Sequence, residues 1–262
     1  MRKVKVPRST DVVLNYWHRD GGSDLKALKE VIEKSAYERP KKGFVIKPGE
    51  TWLDGGANSG AFTLLALSRG ANVVAVEPHP DNCDLWDKNV HANFPSAIKK
   101  NNATLIKSAI GATRPAGEAM TQLHCDPRSQ WRHTTTPINL ANKKVAWQVL
   151  RVPVVSLATL LSEHPKITAI KLDIEGAELD ILDSDISNTI NAFKNIQKFV
   201  FEYHLDRCKE KSRKRYNKIC GNLTKIFEVT APNLDLQDPT TGSLSFDHWP
   251  AAKVIVCKNY KC

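Results

Sequence analysis

Short apolar runs alternate with segments of helical periodicity through much of the chain. The first half predicts strands at Thr51–Asp54, Asn72–Glu77 and Ala103–Ile110, with helices at Ala61–Ser68 and from Pro78 towards Asn93. Alternation of strands and helices is typical of a parallel sheet covered by helices on both faces. The pattern therefore predicts an α/β fold.

The same rhythm returns in the second half, after an interruption at residues 112–148, which are polar and aromatic. Such a long connection is usually a functional lid or an irregular insert. The predicted strands are Val149–Val155, Thr168–Asp173 and Ile196–Tyr203, the helices Leu157–Ser162 and Ala177–Leu182, and a terminal hairpin joins Ile226–Val229 to Lys253–Val256. We expect one domain over residues 1–262, with an antiparallel strand at the C-terminal end of the sheet.

Residues 1–48 are predicted to form a helical extension that precedes the core at 49–262. Four apolar residues share one helical face, and Ser23 is a plausible N-cap. These four are Leu25, Leu28, Val31 and Ile32. Pro48-Gly49 then marks the entry to the first strand of the core.

Composition excludes several classes of protein. The chain has 262 residues, of which 41% are hydrophobic and 25% charged, and no apolar run approaches the ~20 residues that span a bilayer. The basic N-terminus lacks the apolar block of a signal peptide, so we expect a soluble, cytoplasmic protein. The six cysteines are scattered without a C-x-x-C pair, and we expect thiols rather than a metal site.

The net charge of +10 is unevenly distributed. Between Arg207 and Lys218 there are seven basic residues against one acid, Glu210. A surface of this kind fits an anionic partner such as a nucleic acid, and it also fits a solvated helix face. The sequence leaves both interpretations open.

A glycine loop, Gly55-Gly56-x-x-x-Gly60, lies between the first strand and the first helix of the core. It matches neither the dinucleotide fingerprint nor the phosphate loop. Asp54 would repel a pyrophosphate but could hold the ammonium of an amino-acid tail. Glu77, at the tip of the next strand, lies near the ~20-residue offset at which an acid binds ribose hydroxyls. A cofactor with ribose, a cationic amino-acid tail and no phosphate is S-adenosylmethionine.

A second strand ends in the same way. The run Ile170–Glu178 (IKLDIEGAE) passes from apolar residues to Asp173 and then to a glycine turn. In open α/β sheets ligands bind at the carboxyl edge of the strands. Since both strands would end at that edge, we expect one crevice with acidic walls.

These motifs together resemble the FkbM family of S-adenosylmethionine-dependent methyltransferases over roughly residues 44–205. The most specific match is the signature at Ile170–Glu178. The other matching segments are Ile46–Gly49, Leu53–Phe62, Val76–Pro78 with Asn82, Ser108–Gly111 and Phe199–His204. The resemblance implies a Rossmann-like class I methyltransferase fold and methylation of hydroxyl groups, frequently those of sugars. One departure is Ser156-Leu157-Ala158, where the family often carries an acid in place of Ala158.

The loop and the resemblance together imply a set of cofactor-binding residues. The set is Asp54, Gly55, Gly56, Asn58, Gly60, Phe62, Glu77, Pro78, Asn82, Ser108, Ala109 and Asp173. These positions are the glycine turn, the three strand-end acids Asp54, Glu77 and Asp173, and further residues of the matched segments.

Three residues are candidates for the chemistry. His204 is the first choice for the general base because its ordinary pKa lies near working pH, and Asp173 is the second. Glu175 would orient the acceptor or cap the helix that starts near Ala177. An ion pair between Lys171 and Asp173 is the simplest expectation for that lysine. Whether Asp173, Glu202 and His204 bind a divalent cation is left open, because their spacing is not diagnostic.

The leading hypothesis is therefore an O-methyltransferase that acts on a sugar or glycan hydroxyl. Trp131 and Trp147 of the insert could stack on a sugar ring or could pack the insert onto the sheet. The alternative is a methyltransferase of RNA or another nucleic acid that uses the basic C-terminal surface. A cofactor-binding protein without catalysis is a third interpretation.

Overall fold

The computed structural model describes residues 1–6, 12–20, 23–112, 120–126, 133–135, 146–178, 180–182, 193–204, 223, 227–230 and 252–259. Three sequence predictions lie outside these residues: the basic segment 207–218, Trp131, and the side chain of His204.

The described residues contain thirteen strands in three sheets. In chain order the strands are β1 Arg2–Lys5, β2 Val13–Tyr16, β3 Thr51–Gly55, β4 Asn72–Val76, β5 Ala103–Ile106, β6 Ala109–Gly111, β7 Met120–Cys125, β8 His133–Thr134, β9 Gln148–Ser156, β10 Ala169–Leu172, β11 Lys198–His204, β12 Phe227–Thr230 and β13 Ala252–Asn259.

The helices lie between these strands. They are α1 Ser23–Leu28, which continues as a π-helical turn at Lys29–Glu33, α2 Ala61–Ser68, α3 Pro80–Asn93, α4 Pro95–Lys99 and α5 Leu157–Glu163, with short 3₁₀ turns at Pro40–Lys42 and Phe193–Asn195. Residues 178 and 180–182 are also helical.

The largest sheet has seven strands in the order β12-β13-β11-β10-β3-β4-β5. Neighbours are parallel except for β13, which runs antiparallel to β11 and β12. The predicted Rossmann-like α/β fold is confirmed, including the antiparallel strand near the C-terminus.

Apolar residues cover both faces of this sheet. Along β3, Trp52 and Leu53 belong to different core clusters, since successive side chains of a strand point to opposite faces. Trp52 packs in a cluster with Phe62 and Trp86. Leu53 packs in a cluster with Leu172 and further residues of the other face. The sheet is therefore buried on both sides, as parallel sheets are.

The N-terminal segment differs from the prediction of a helical extension. Its first part is an antiparallel hairpin, β1–β2; among its described residues, Ser23–Glu33 is helical and Pro40–Lys42 forms a 3₁₀ turn. The reason is a period of two: the buried Val4 and Val6 alternate with the exposed Lys3 and Lys5, and Leu14 and Tyr16 are buried on the facing strand. The predicted apolar helix face is confirmed farther on, where Leu28, Val31 and Ile32 are buried.

The hairpin is fastened to the glycine loop by buried polar contacts. The Tyr16 hydroxyl lies 2.5 Å from Ser59 Oγ. Asn89, on α3, accepts a hydrogen bond from the backbone of Trp17 and donates to the carbonyls of Trp17 and Ser59 at 3.0 and 2.8 Å. The N-terminal segment is thus joined to the part of the fold that carries the predicted site.

The strand predicted at Ala103–Ile110 is divided in two. A turn closed by Ser108 N and Ile106 O, 3.0 Å apart, separates β5 from β6. β6 then leaves the main sheet and pairs with β9 in a smaller sheet of order β6-β9-β7-β8. The described part of the 112–148 insert consists largely of β7 and β8, so it extends a sheet.

None of the helices in the described ranges has the length and apolar character that a bilayer span requires.

Candidate active site

The glycine loop is fixed between β4 and β10 by its backbone. The amides of Gly56 and Ala57 both donate to the carbonyl of Val76, at 3.0 and 3.1 Å. Gly56 has a φ of +73°, and a Cβ there would lie 1.8 Å from the Asp173 carbonyl oxygen. No other residue fits that position without moving β10, so the turn and the end of β10 form one unit.

Beneath the loop lies a buried ion pair. Lys171 Nζ is 3.2 Å from Asp54 Oδ1 and donates to the carbonyls of Gly55 and Gly56 at 3.1 and 2.8 Å. Thr63 Oγ1 donates to the other oxygen of Asp54 at 2.7 Å. The pair forms because Lys171 and Asp54 are direct neighbours in the register of β10 and β3. Lys171 therefore pairs with Asp54, not with Asp173 as the sequence suggested.

The charge of Lys171 is maintained by its neighbours. Burial alone would lower the pKa of its ammonium, but attraction to Asp54, and then to Asp173, raises the pKa above the ordinary value of 10.5. Lys171 and Asp54 are 3% and 0% exposed, so neither charge is shared with solvent. The cation therefore neutralises Asp54 and supports the loop from below.

Glu77 occupies the tip of β4, as predicted, and organises the turn around it. Its carboxylate accepts hydrogen bonds from the amides of Asn58 and His79, both at 2.9 Å, and from Asn82 Nδ2 at 3.1 Å. Burial raises the pKa of Glu77 above 4.5, while these three donors oppose the shift. Burial also disfavours the charged form of His79, and for a histidine this lowers the pKa below the ordinary 6.5.

The turn after β10 is closed by Glu178. Its two carboxylate oxygens accept from the amides of Ile174 and Gly176, at 2.7 and 2.9 Å. Glu175 stands in this turn with a φ of +57° and lies on the wall of the cavity described below. The turn that precedes this helix is thus held by Glu178.

A tyrosine from the N-terminal segment reaches the end of β10. The Tyr37 hydroxyl donates to Asp173 Oδ2 at 2.7 Å and lies 3.4 Å from Glu202 Oε2. Its ring packs edge-on against Phe62, with centroids 5.7 Å apart. Burial, and then the charges of Asp173 and Glu202, raise the pKa of Tyr37 well above 10.0, so the hydroxyl keeps its proton and acts as a donor.

Above the loop is a cavity of about 440 Å³, a size typical of small-molecule sites. Its walls include ten of the residues that the sequence singled out. They are Gly56, Asn58, Phe62, Glu77, Pro78, Asn82, Ser108, Ala109, Asp173 and Glu175. Asp54, Gly55 and Gly60 are not on its walls.

Two parts of the wall were not predicted as site residues. Ala27, Glu30, Val31, Ala36 and Tyr37 come from the N-terminal segment, and Leu123, His133 and Thr135 come from the insert. Sequence reasoning missed Tyr37 because no motif surrounds it and only the folded N-terminal segment carries it to β10.

The comparison with protein families decides the family of this chain. The family described as the methyltransferase FkbM domain matches residues 54–233. The chain belongs to the FkbM methyltransferase family. It is an S-adenosylmethionine-dependent methyltransferase, as the sequence motifs predicted. No curated protein matches the chain significantly.

Solved structures similar to this methyltransferase include a precorrin methyltransferase from Geobacter metallireducens. The two sequences are 13% identical, the match covers 81% of this chain and 80% of that chain, and the TM-score is 0.40. Fibrillarin from Aeropyrum pernix, solved with bound S-adenosylmethionine, has 12% identity, coverage of 86% and 74%, and a TM-score of 0.42. A putative tRNA methyltransferase from Streptococcus pneumoniae, also with S-adenosylmethionine, has 9% identity, coverage of 82% and 68%, and a TM-score of 0.42.

The charge of the methyltransferase cavity fits its cofactor. Among the described lining residues, five carry carboxylates: Glu30, Glu77, Asp173, Glu175 and Glu202. The lysine on the wall, Lys171, is already paired with Asp54. A cavity with this balance attracts a sulfonium and an ammonium group and repels phosphate.

Replacing Lys171 with methionine should destabilise the methyltransferase by about 3–5 kcal/mol, because the buried Asp54 carboxylate loses its partner. Urea unfolding measures this change. Lys166→Met, at an exposed lysine just before β10, is the matched control and should change the free energy of unfolding by less than about 0.5 kcal/mol.

The same experiment has a second arm. Asp54→Asn should recover part of the loss when combined with Lys171→Met, because the remaining amide carries no buried charge. Equal stability of Lys171→Met and the wild type would show that the ion pair does not support the loop.

Cofactor affinity should fall as the pH decreases from neutral. The raised pKa of Glu77 means that its carboxylate takes up a proton at a higher pH than the ordinary 4.5. In the ribose contact that the sequence predicts for Glu77, the protonated form would accept hydrogen bonds from the hydroxyls less well. Titration calorimetry with S-adenosylmethionine at a series of pH values measures the dependence. Glu77→Gln should bind more weakly at neutral pH and show a flatter profile; an unchanged profile would remove Glu77 from the cofactor contacts.

Proposed function

We propose that this enzyme transfers a methyl group from S-adenosylmethionine to a hydroxyl group of a sugar or glycan. The observation that carries the proposal is the cluster at the end of β10, where the carboxylates of Asp173 and Glu202 meet the Tyr37 hydroxyl on the cavity wall. An acceptor hydroxyl has to lose a proton during methylation, and a cluster of carboxylates can receive it.

In this proposal the cofactor lies along the loop and the tip of β4. Glu77 and the Asn58 turn bind its ribose, and the remaining contacts come from Phe62, Pro78, Asn82, Ser108 and Ala109, all on the cavity wall. Asp54 acts indirectly, since its buried carboxylate holds Lys171 and, through it, the carbonyls of Gly55 and Gly56. Gly60 starts α2 with a φ of +88° and shapes the loop without facing the cavity.

The cofactor supplies a methyl carbon that its sulfonium activates towards attack. The chain aligns the acceptor with it, and good alignment contributes ~7–11 kcal/mol to such reactions. Asp173 accepts the proton of the acceptor hydroxyl, while Tyr37, which donates to Oδ2, fixes the orientation of that carboxylate. Glu175 and Glu202, which also line the cavity, contact the acceptor. His204, the last residue of β11, remains the other candidate for the base.

The insert contributes to the choice of acceptor. Leu123, His133 and Thr135 line the cavity and offer both an apolar contact and hydrogen-bonding groups. Trp147 is not on the cavity wall, so stacking of a sugar ring is left to Trp131, which lies outside the described residues.

The second candidate is a nucleic-acid acceptor. The net charge of +10 favours it, because basic surfaces bind phosphate backbones. The acidic cavity argues for a neutral acceptor group at the reacting centre, so any phosphate contacts would have to lie outside the cavity.

Replacing Tyr37 with phenylalanine should lower kcat by about tenfold or more, because Asp173 loses the donor that orients it. The Kd for S-adenosylmethionine should change little. Tyr16→Phe is the matched control: it removes another buried tyrosine hydroxyl from the same segment, one that contacts Ser59. If both variants reduce kcat equally, the effect of Tyr37 is structural. Asp173→Asn and His204→Ala are then compared over a pH series. The base is the residue whose replacement abolishes the fall of kcat towards low pH, because a general base is inactive when it is protonated.

A panel of acceptors tests the substrate class. With a labelled methyl donor, we expect transfer to mono- or oligosaccharides and none to total RNA. The product should be a methyl ether, stable to mild alkali and located on a sugar oxygen by mass spectrometry. Transfer to RNA that weakens steeply with salt, and none to sugars, would replace the sugar proposal with the nucleic-acid one.

A further inference from the structure

A cysteine and a histidine face each other on the hairpin of the insert. In the register of β7 and β8, Cys125 lies directly opposite His133. Side chains of opposed residues in an antiparallel pair have Cβ atoms about 4.5–5.5 Å apart and point to the same face. The hairpin therefore presents a thiol and an imidazole side by side, although eight positions separate them in the chain.

A second histidine approaches this pair from the main sheet. His79 follows β4 and directly precedes α3, and its ring stacks on that of His133 with centroids 4.3 Å apart and an interplanar angle of 16°. One ligand atom from each of His79, Cys125 and His133 lies within 4.8 Å of the other two. His79 Nδ1 is buried and has no hydrogen-bond partner, which is an expensive state for an imidazole nitrogen.

We propose that His79, Cys125 and His133 form a binding site for one zinc-type divalent transition-metal ion. The donor set of one thiolate and two imidazoles is the kind that zinc prefers over magnesium or calcium, which require oxygen ligands. On binding, the Cys125 thiol releases its proton to solvent and its sulfur donates to the ion. One of the stacked imidazoles turns so that both nitrogen lone pairs converge on the metal.

The site would join the end of β4 to the β7–β8 hairpin of the insert, which are far apart in the chain. His79 follows Glu77 and Pro78 on the cofactor side of the cavity, and its amide donates to Glu77. His133 lies on the cavity wall together with Leu123 and Thr135. An ion held by all three ligands ties the hairpin to the end of β4, and a fourth tetrahedral position remains for water or an acceptor group.

Cobalt is the probe for the solution experiment, since a cobalt–thiolate bond gives a charge-transfer absorption in the near ultraviolet. Titration of the full-length chain with Co²⁺ should show this band with a stoichiometry of one ion per chain, and added Zn²⁺ should displace it. Cys125→Ser should abolish the band. His79→Ala should weaken binding more than about tenfold. Loss of a residue that only hydrogen-bonds to a metal ligand already costs about tenfold or more, and His79 is itself a proposed ligand.

Two matched controls separate this site from other thiols and histidines. Cys83→Ser removes another buried free thiol, on α3, and His124→Ala removes the histidine next to Cys125 on β7. Both should leave the band and the stoichiometry unchanged. Retention of the band in Cys125→Ser, or its loss in Cys83→Ser, would overturn the assignment.

X-ray absorption on the zinc-loaded wild-type chain tests the proposal without any variant. The expected first shell has one sulfur at about 2.3 Å and two imidazole nitrogens at about 2.0–2.1 Å. A shell of oxygen scatterers alone, or no stoichiometric retention of zinc after gel filtration, would show that the three side chains do not bind a metal.

Discussion

The buried ammonium of Lys171 is the contact on which the geometry of the active site depends. It sits between two parallel strands, opposite Asp54, and holds the carbonyls of Gly55 and Gly56 from below. A buried charge without a partner is costly, so neither member of the pair can be removed without disturbing the other. Because Gly56 also packs closely against the backbone of Asp173, the loop and the end of β10 form one packed unit.

The acids of this edge divide into three groups by their surroundings. Asp54 and Glu178 are fully buried and hold turns together. Glu77 is nearly buried, accepts three hydrogen bonds from the protein and still reaches the cavity wall. Asp173 and Glu202 meet at the Tyr37 hydroxyl. Carboxylates that look alike in the sequence motifs therefore have different roles in the structure, and the extent of their burial distinguishes these roles.

Much of the sheet could be predicted because its strands are short apolar runs that end in turn residues. Glu77 and Asp173 directly follow β4 and β10 and line one cavity, as expected from strands that end at the same edge, whereas Asp54 lies within β3 and off the cavity wall. The burial of Asp54 could not be seen in the sequence, because it depends on Lys171 lying opposite in the register. The hairpin at residues 2–16 was misread, although the alternation from Lys3 to Val6 is a strand signal.

Contacts between distant segments were the least predictable. Tyr37 reaches Asp173 across 136 positions of the chain, and no local pattern marks such a pair. The cluster of His79, Cys125 and His133 was missed for the same reason: two of its members meet by strand pairing, and the third lies in the turn between β4 and α3. Spacing rules for metal sites detect ligands within one loop, and these ligands come from separate elements.

The most direct measurement is a crystal structure of the enzyme with S-adenosylhomocysteine. The account predicts that the ribose hydroxyls contact the Glu77 carboxylate, that the sulfur lies beside Asp173, and that the pair of Lys171 and Asp54 stays closed beneath the loop. A nucleoside bound away from Glu77, or one held directly by an Asp54 that has left Lys171, would contradict it.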